Sequence, residues 1–254
     1  MAEYIQASGG PLFHIGRYIL MIKRCFVKPE RAAMYWKETL VQMNNIGVGS
    51  LMIILLISFF IGAVSAVQFA YNLSASMVPM AYVGLIVKES MILELAPTVS
   101  CLILAGKVGS NLASELGTMR LTEQIDALEI MGVNTISYLI GPKLAAAITM
   151  IPLLVIIAAC SGIYGGMLAG SFSGYVSSTD YIQGVLMFFV PYNIKVMLIK
   201  SVVFGFVLTS ISCYQGFYSH GSAIEIGKAS TRAVVLSCVM VLFADLVLTW
   251  LLLK

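Results

Sequence analysis

The chain has 254 residues, of which 59% are hydrophobic and 11% charged, and its formal net charge at pH 7 is +3. Soluble domains carry about 25% charged residues, so this composition excludes an ordinary soluble fold and indicates an integral membrane protein. The basic residues form no stripe interleaved with aromatic side chains, and nucleic acid is therefore not expected as a partner.

The first 45 residues are expected to form an amino-terminal interfacial or elbow region. Its apolar residues recur at helical spacing beside six basic residues, which are Arg17, Lys23, Arg24, Lys28, Arg31 and Lys37. This pattern is typical of a helix that lies in the membrane interface with its basic face toward anionic headgroups. The alternative interpretation is a cytoplasmic tail that touches the membrane.

Five apolar segments occupy the remaining domain, 46–254, and each is long enough to cross the ~30 Å hydrocarbon core. They run over residues 47–70, 80–106, 142–172, 187–213 and 232–253. Lysine and arginine concentrate in the amino-terminal region and in the connections 106–143 and 214–231, whereas the connections 71–79 and 173–186 contain none. The distribution predicts a cytoplasmic amino terminus and a carboxyl terminus on the outer side.

The third segment carries four glycines at four-residue intervals, which are Gly162, Gly166, Gly170 and Gly174. On a helix they form one stripe that allows another backbone to approach closely. The stripe predicts either packing within the chain or a seam between two copies. Pro97 and Pro152 lie within the second and third segments, where each frees a carbonyl group and can kink its helix.

A short amphipathic helix is predicted in the connection between the second and third segments. Thr122 is placed as its N-cap, Glu123 and Asp126 lie in its first turn, and Gly132 is placed as its left-handed stop. The nine residues from 123 to 131 are too few for a helix that is stable alone in water. The helix must therefore dock, either on its own membrane domain or on a cytosolic partner. The predicted fold class is an all-α integral membrane protein with an interfacial helix, five transmembrane helices and this short inner helix.

The same region carries a resemblance to a known family. The run ELAPTVSCLILAGKVGSNLASELGTMRLTEQIDALEIMGVN resembles the signature of the MlaE/YrbE-type permeases, the membrane subunits of ABC lipid transporters. FIGAV in the first segment, and LIKSVVFG and ASTRAVV further on, also resemble the family in the same order, so the resemblance covers nearly the whole chain. Two positions depart from the pattern: Leu93 stands where relatives often have arginine, and Thr135 where proline is common.

The resemblance implies a transport subunit and not an enzyme. Permeases of this type work as homodimers with a cytosolic ABC ATPase and a periplasmic ring of MCE-domain proteins. They move phospholipids between the bacterial inner membrane and the periplasmic partner, contributing to outer-membrane lipid asymmetry. Since the chain has no GxxxxGK[ST] phosphate loop, ATP and Mg are expected in the partner ATPase, and this chain is expected to bind no cofactor or metal.

By motif match, the resemblance also makes the segment at about 113–132 the coupling helix that contacts the ATPase. The candidate contact residues are Glu115, Thr118, Arg120, Glu123 and Asp126. Arg120 is expected to pair with an acidic neighbour.

Several polar residues lie at membrane depth or at its outer edge. An ionised group such as Glu94 costs about 2.5–3.5 kcal/mol or more inside the bilayer, so it is expected to face a cavity or a neighbouring helix, and the resemblance favours a lipid cavity. Lys88 is the cation on that helix nearest to the arginine missing at Leu93. Further lipid-cavity candidates, which are equally typical of an aromatic belt at the membrane interface, are Gln68, Phe69, Tyr71 and Tyr82.

Lys200 and Asp245 are predicted to form an intramembrane ion pair. At 1.5 Å per residue Lys200 lies ~13 Å below the outer end of the fourth span, and Asp245 lies ~10 Å from the end of the fifth. The depths agree, and we interpret the pair as structural. The alternative is a proton route through Glu94, Lys200 and Asp245 in a gradient-driven secondary transporter.

Overall fold

A computed structural model of the chain describes residues 10–25, 32–74, 78–219 and 221–253. Lys28 and Arg31 of the predicted interfacial region lie outside the described residues. Within the described ranges the chain forms eleven α-helices and three π-helical segments, with no strand. Five of its continuous helical stretches are long and apolar enough to cross a membrane. The predicted all-α fold with five spans is confirmed.

The first span begins earlier than predicted and is continuous with the amino-terminal region. Helix α1 is Pro11–Cys25 and α2 is Ala32–Met43, and α2 runs through the π-helical segment Asn44–Val48 into α3, Gly49–Ser74. No break therefore occurs at residue 45. One side of α1 contacts the rest of the chain, where burial raises the pKa of the Cys25 thiol to about 11.

The second span is a single rod from Ala81 to Leu121 that contains two π-helical segments. At 1.5 Å per residue its 41 residues extend about 60 Å, twice the thickness of the hydrocarbon core. Pro97, where a kink was predicted, lies in the first π-helical segment. In chain order the rod comprises α4 (Ala81–Ser90), the π-helical Met91–Val99, α5 (Ser100–Leu104), the π-helical Ala105–Gly109 and α6 (Ser110–Leu121).

The remaining helices complete the three other spans and two short connecting helices. They are α7 (Gln124–Ile130), α8 (Thr135–Phe172), α9 (Ser178–Leu186), α10 (Pro191–Phe217) and α11 (Ala223–Leu252). Pro152 lies inside α8, which continues through it. Four of the spanning helices are longer than their predicted apolar segments, whereas α10 has the 27 residues expected but begins and ends four residues later. We call α6, α7 and the first three turns of α8 the α6–α8 hairpin.

Helices α8 and α10 form the centre of the bundle. Helix α8 packs along α3 and also contacts α2 and α10, while α10 packs against α6 and α11. Of the most apolar window of α10, 67% is buried within the chain, compared with 11% for α11. The outward surfaces of α3 and α11 are therefore left to lipid or to a second copy of the chain.

The glycine stripe on the third span faces α3 of the same chain. A methyl group on Gly62 would collide with the carbonyl oxygen of Gly162, and one on Gly165 would collide with the carbonyl oxygen of Phe59. The stripe is also shorter than predicted, because α8 ends at Phe172 and Gly174 lies in the following turn at φ +73°. The close approach is thus intramolecular.

Gly62→Ala is expected to destabilise the protein by about 1–3 kcal/mol, because the added methyl must push α3 away from α8. Gly227→Ala on α11 is the matched control, since nothing lies within 4 Å of its new methyl. That control should be neutral or gain about 0.5–1 kcal/mol. Equilibrium unfolding in detergent micelles measures both values, and equal stabilities for the two variants would contradict the close-packing interpretation.

Candidate functional site

A charged network joins three spans inside the membrane. The side chain of Lys200 on α10 is fully buried, and its Nζ donates to Glu94 Oε1 at 2.8 Å and to the Leu93 carbonyl oxygen at 3.0 Å. Asp245 Oδ1 on α11 lies 2.8 Å from the same nitrogen. An ammonium group has three protons to donate, so these three oxygens can satisfy it completely.

Two threonines extend the network. Thr98 Oγ1 donates to Asp245 Oδ2 at 3.0 Å, and Thr249 Oγ1 lies within 3.2 Å of Glu94 Oε1 and 3.4 Å of Asp245 Oδ1. Each threonine lies four residues after an acid on its own helix, which places both side chains on one face. We call Glu94, Thr98, Lys200, Asp245 and Thr249 the central network.

The central network contains two carboxyl groups and one ammonium group, and its acids differ in exposure. The Asp245 side chain is 15% exposed, whereas that of Glu94 is 42% exposed. Hydrocarbon offers no hydrogen bonds, so a half-exposed carboxyl group at this depth requires a polar cavity or a partner. The network therefore has a closed side, formed by α10, and an open side at Glu94.

An apolar groove lies at the end of α3, far from the α6–α8 hairpin. Its volume is about 530 Å³, and it is open at the protein surface. Two of the predicted cavity residues, Gln68 and Tyr71, line it together with Ala63, Val64, Val67, Ala169 and Tyr175. Phe69 packs against the core instead, and Tyr82 lies on α4 outside the groove lining.

Lys88 has a local structural contact. Lys88 is 5% exposed, and its Nζ donates a hydrogen bond of 2.6 Å to the carbonyl oxygen of Met187, the residue that follows α9. Glycines on both helices bring α4 and α9 together, since a methyl on Gly84 or Gly184 would meet the other backbone. Neither Lys88 nor Glu94 lines the groove, so the six candidate cavity residues do not form one site.

Two ion pairs hold the α6–α8 hairpin. Glu115 Oε2 on α6 accepts from Lys143 Nζ on α8 at 2.6 Å, and the Lys143 side chain is 3% exposed. Arg120 Nη1 lies 2.6 Å from Asp126 Oδ1 and 4.0 Å from Glu129 Oε1, which links the end of α6 to α7. Three of the five predicted coupling residues thus have partners within the hairpin.

The short inner helix starts one residue later than predicted, at Gln124 with Glu123 as its N-cap. Thr122 ends α6, and its Oγ1 donates to the Thr118 carbonyl oxygen at 2.9 Å. Glu123 precedes α7 with φ 59° and ψ 14°, in the left-handed region, where its side chain makes no capping hydrogen bond. A left-handed conformation costs a residue other than glycine roughly 1–2 kcal/mol, and such strain concentrates at functional positions. Gly132, at φ +81°, has the left-handed conformation that the sequence predicted.

Sequence reasoning did not find the contact between Glu94 and Lys200, the two threonines of the central network, or Lys143 as the partner of Glu115. One signal was available: an acid is followed by threonine four residues later in both the second and the fifth span. The other two contacts join residues 106 and 28 positions apart.

Five membrane-length helices, an intramembrane ion network and a long polar hairpin at one end define a multi-pass membrane protein. A family model described as Permease MlaE matches residues 39–251. The chain belongs to the MlaE permease family.

The chain is similar over most of its length to several known proteins. It is 35% identical over 240 residues to a probable ABC transporter permease protein of Rickettsia bellii, covering 94% of this chain and 92% of that protein. It is 32% identical over 237 residues to the intermembrane phospholipid transport system permease protein MlaE of Haemophilus influenzae, covering 92% and 90%. The chloroplastic protein TRIGALACTOSYLDIACYLGLYCEROL 1 of Arabidopsis thaliana is 32% identical over 219 residues, covering 86% and 62%.

Lys200→Met is expected to destabilise the protein by about 3–5 kcal/mol, because it leaves Glu94 and Asp245 without their counter-ion. The matched control is Lys195→Met, an exposed lysine on the same helix. Unfolding in detergent measures the loss. Adding Glu94→Gln and Asp245→Asn to Lys200→Met should restore part of the stability, since the uncompensated charge is then removed. A Lys200→Met variant as stable as Lys195→Met would refute this role of the network.

Proposed function

We propose that this chain is the permease subunit of an ATP-driven transporter that moves phospholipids between the bacterial inner membrane and a periplasmic MCE-domain protein. Two copies work with a cytosolic ABC ATPase that binds ATP and Mg, and transport contributes to outer-membrane lipid asymmetry. The amino terminus is cytoplasmic and the carboxyl terminus periplasmic. The similarity to the phospholipid transport permease of Haemophilus influenzae supports phospholipid as the cargo.

The α6–α8 hairpin is the observation that carries the proposal. The second span and α8 are both longer than the hydrocarbon core requires, so α7 between them lies outside that core, and its seven residues cannot form a stable helix alone in water. A strained left-handed Glu123 presents an exposed carboxyl group next to the exposed Thr118. This exposed tip is the contact we assign to the ATPase, while Glu115, Arg120 and Asp126 hold the hairpin together.

Movement of the tip reaches the membrane through α8. The buried Lys143 ties α8 to α6, and α8 packs directly on α3 and α10. Because the glycine contacts leave no space between α8 and α3, a displacement of α8 also displaces α3 and the groove beside it. ATP binding and hydrolysis in the partner would use this connection to open or close the cargo path.

The cargo path needs a second copy of the chain. The groove of Gln68 and Tyr71 is open, and the adjoining face of α3 exposes large apolar side chains, including Phe60 and Val64. Two such grooves facing each other would enclose acyl chains, and each buried methylene contributes about 0.8 kcal/mol. Such a cavity selects weakly among acyl chains. Gln68 and the Tyr71 hydroxyl, which line the groove, would supply its polar contacts.

The alternative function is a gradient-driven secondary transporter that uses Glu94, Lys200 and Asp245. The half-exposed Glu94 beside a second carboxyl group favours it, since intramembrane acids commonly form proton routes. It requires no ATPase, and it leaves the exposed tip of the α6–α8 hairpin without a role. The two functions therefore differ in whether an ATPase co-purifies.

Purification from the native host, followed by mass spectrometry of bound proteins and lipids, is expected to recover an ABC ATPase, an MCE-domain protein and phospholipid. Glu123→Lys should lower ATPase retention at least about tenfold, because it reverses the exposed charge at the contact. Asp180→Lys on α9, at the other end of the bundle, makes the same charge change and should retain the ATPase. A single purified protein with intact gradient-driven transport would overturn the proposal.

Glu123→Gly separates contact from stability. Glycine adopts the left-handed conformation without penalty, so this variant should gain about 1 kcal/mol in unfolding free energy. Its ATPase retention should nevertheless fall, since the carboxyl group is lost. A variant with unchanged ATPase retention would show that the Glu123 carboxyl group makes no contact.

A further inference from the structure

A second cavity lies at the α6–α8 hairpin end of the bundle and is lined by three arginines. Its volume is about 360 Å³, and Arg17 and Arg24 of α1 and Arg120 of α6 contribute to its wall. Arg17 and Arg24 are seven residues apart, which places them two turns apart on one face of α1. The cavity brings together guanidinium groups from two distant parts of the sequence.

Arg17 and the helix that carries it are held in place by contacts with α10 and the residue after it. The Arg17 guanidinium lies 3.7 Å from the centre of the Tyr218 ring, within the range of a cation–π contact. Two hydrogen bonds hold helix α1 against α10, one between His14 Nδ1 and the Tyr214 hydroxyl at 2.9 Å and one between the Tyr18 and Ser210 hydroxyls at 2.7 Å. The part of the cavity wall that α1 forms is therefore fixed by specific contacts.

Positive charge exceeds negative charge in this wall. Glu129 is its one carboxylate among the described residues, and it also accepts from Thr135 Oγ1 at 3.3 Å. Asp126 pairs with Arg120, but neither Arg17 nor Arg24 has an ion-pair partner in the part of the chain that the structure describes. The amino end of the 38-residue helix α8 also contributes to the wall and adds a partial positive charge.

The position of α1 places the cavity at the level of lipid headgroups. Helix α1 exposes five large apolar side chains that a membrane interface would bury, which are Leu12, Phe13, Ile15, Ile19 and Leu20. Arg17 and Arg24 thus lie on an interfacial helix, where phosphate groups are the available anions.

We propose that this cavity binds the phosphate group of an anionic phospholipid from the leaflet in which α1 lies. Guanidinium groups match phosphate oxygens in paired, charge-assisted hydrogen bonds. The site is separate from the groove of Gln68 and Tyr71, which lies at the other end of α8. Its assignment to the cytoplasmic leaflet rests on the orientation proposed above, whereas the binding itself does not.

Occupancy of this site would act on the α6–α8 hairpin. A phosphate group near Arg120 competes for the guanidinium with Asp126 and Glu129, the two carboxylates that pair the end of α6 with α7. An anionic lipid would therefore loosen α7 and change how the tip of the hairpin is presented.

Native mass spectrometry of the purified full-length chain, titrated separately with phosphatidylglycerol, phosphatidylcholine and inorganic phosphate, tests the proposal. The wild type should bind phosphatidylglycerol most tightly, because the choline ammonium is repelled by the arginines. Arg17→Gln with Arg24→Gln should weaken phosphatidylglycerol binding at least about tenfold. Lys23→Gln, the same charge change at an exposed neighbour outside the cavity, should leave the affinity unchanged.

Three outcomes would overturn the proposal. These are equal affinity of the wild type and the double variant for phosphatidylglycerol, an equal loss in Lys23→Gln, and binding of inorganic phosphate that excludes the lipid. The single variant Arg24→Gln, at an exposed side chain, gives the same test if the double variant does not fold. Since the assay contains no ATPase, its failure is distinct from failure of the proposed transport function.

Discussion

The position of Lys200 is the constraint on which the membrane-embedded part of this protein depends. An ammonium group that is fully buried in hydrocarbon must find its acceptors inside the protein. Here they are the Leu93 carbonyl, Glu94 and Asp245, so the second, fourth and fifth spans must meet at one depth. The π-helical segment around Pro97 fits this requirement, since it shifts the register of the second span next to Glu94 and Thr98.

The two sides of the central network differ in their exposure. Lys200 and Asp245 are enclosed by α10 and α11, whereas the Glu94 side chain remains 42% exposed. A closed network would serve packing alone. An open carboxyl group in the membrane implies a further polar neighbour, which in the proposed dimer is a shared cavity or the second copy.

The sequence predicts the spans well because each needs a long apolar run, and this signal is local. It places the ends poorly, since the turns that extend α6 and α8 beyond the apolar runs make contacts between distant residues, such as Glu115 with Lys143. Threonine favours the N-cap position, so the sequence predicts Thr122 there, but the second span extends to Leu121 and the break between helices falls at Glu123.

The contacts inside the membrane were predictable only in part. The depth of each residue along its own helix is enough to match Lys200 with Asp245. It cannot place Glu94 beside them, because that contact depends on how three helices are aligned and rotated relative to one another. The sequence predicts Lys88 as a cavity residue, and it could not show the bond to Met187, which depends on the close approach of α4 and α9.

The fifth span has the least support from apolar packing and so depends most on its polar contacts. Helix α11 is only 11% buried in its most apolar window, and Asp245 and Thr249 tie it to the second and fourth spans. Nearer the α6–α8 hairpin, Ser230 donates to the Ser110 carbonyl oxygen at 3.1 Å, which ties the same helix to α6. Helix α11 therefore contacts both the central network and the rod that carries the hairpin. A shift of the second span relative to α11 would break the hydrogen bonds from Ser230 to Ser110 and from Thr98 to Asp245, although Asp245 would keep its ion pair with Lys200 on α10. Because a hydrogen bond lost inside the membrane is not replaced by one to water, we infer that α6 and α11 move together.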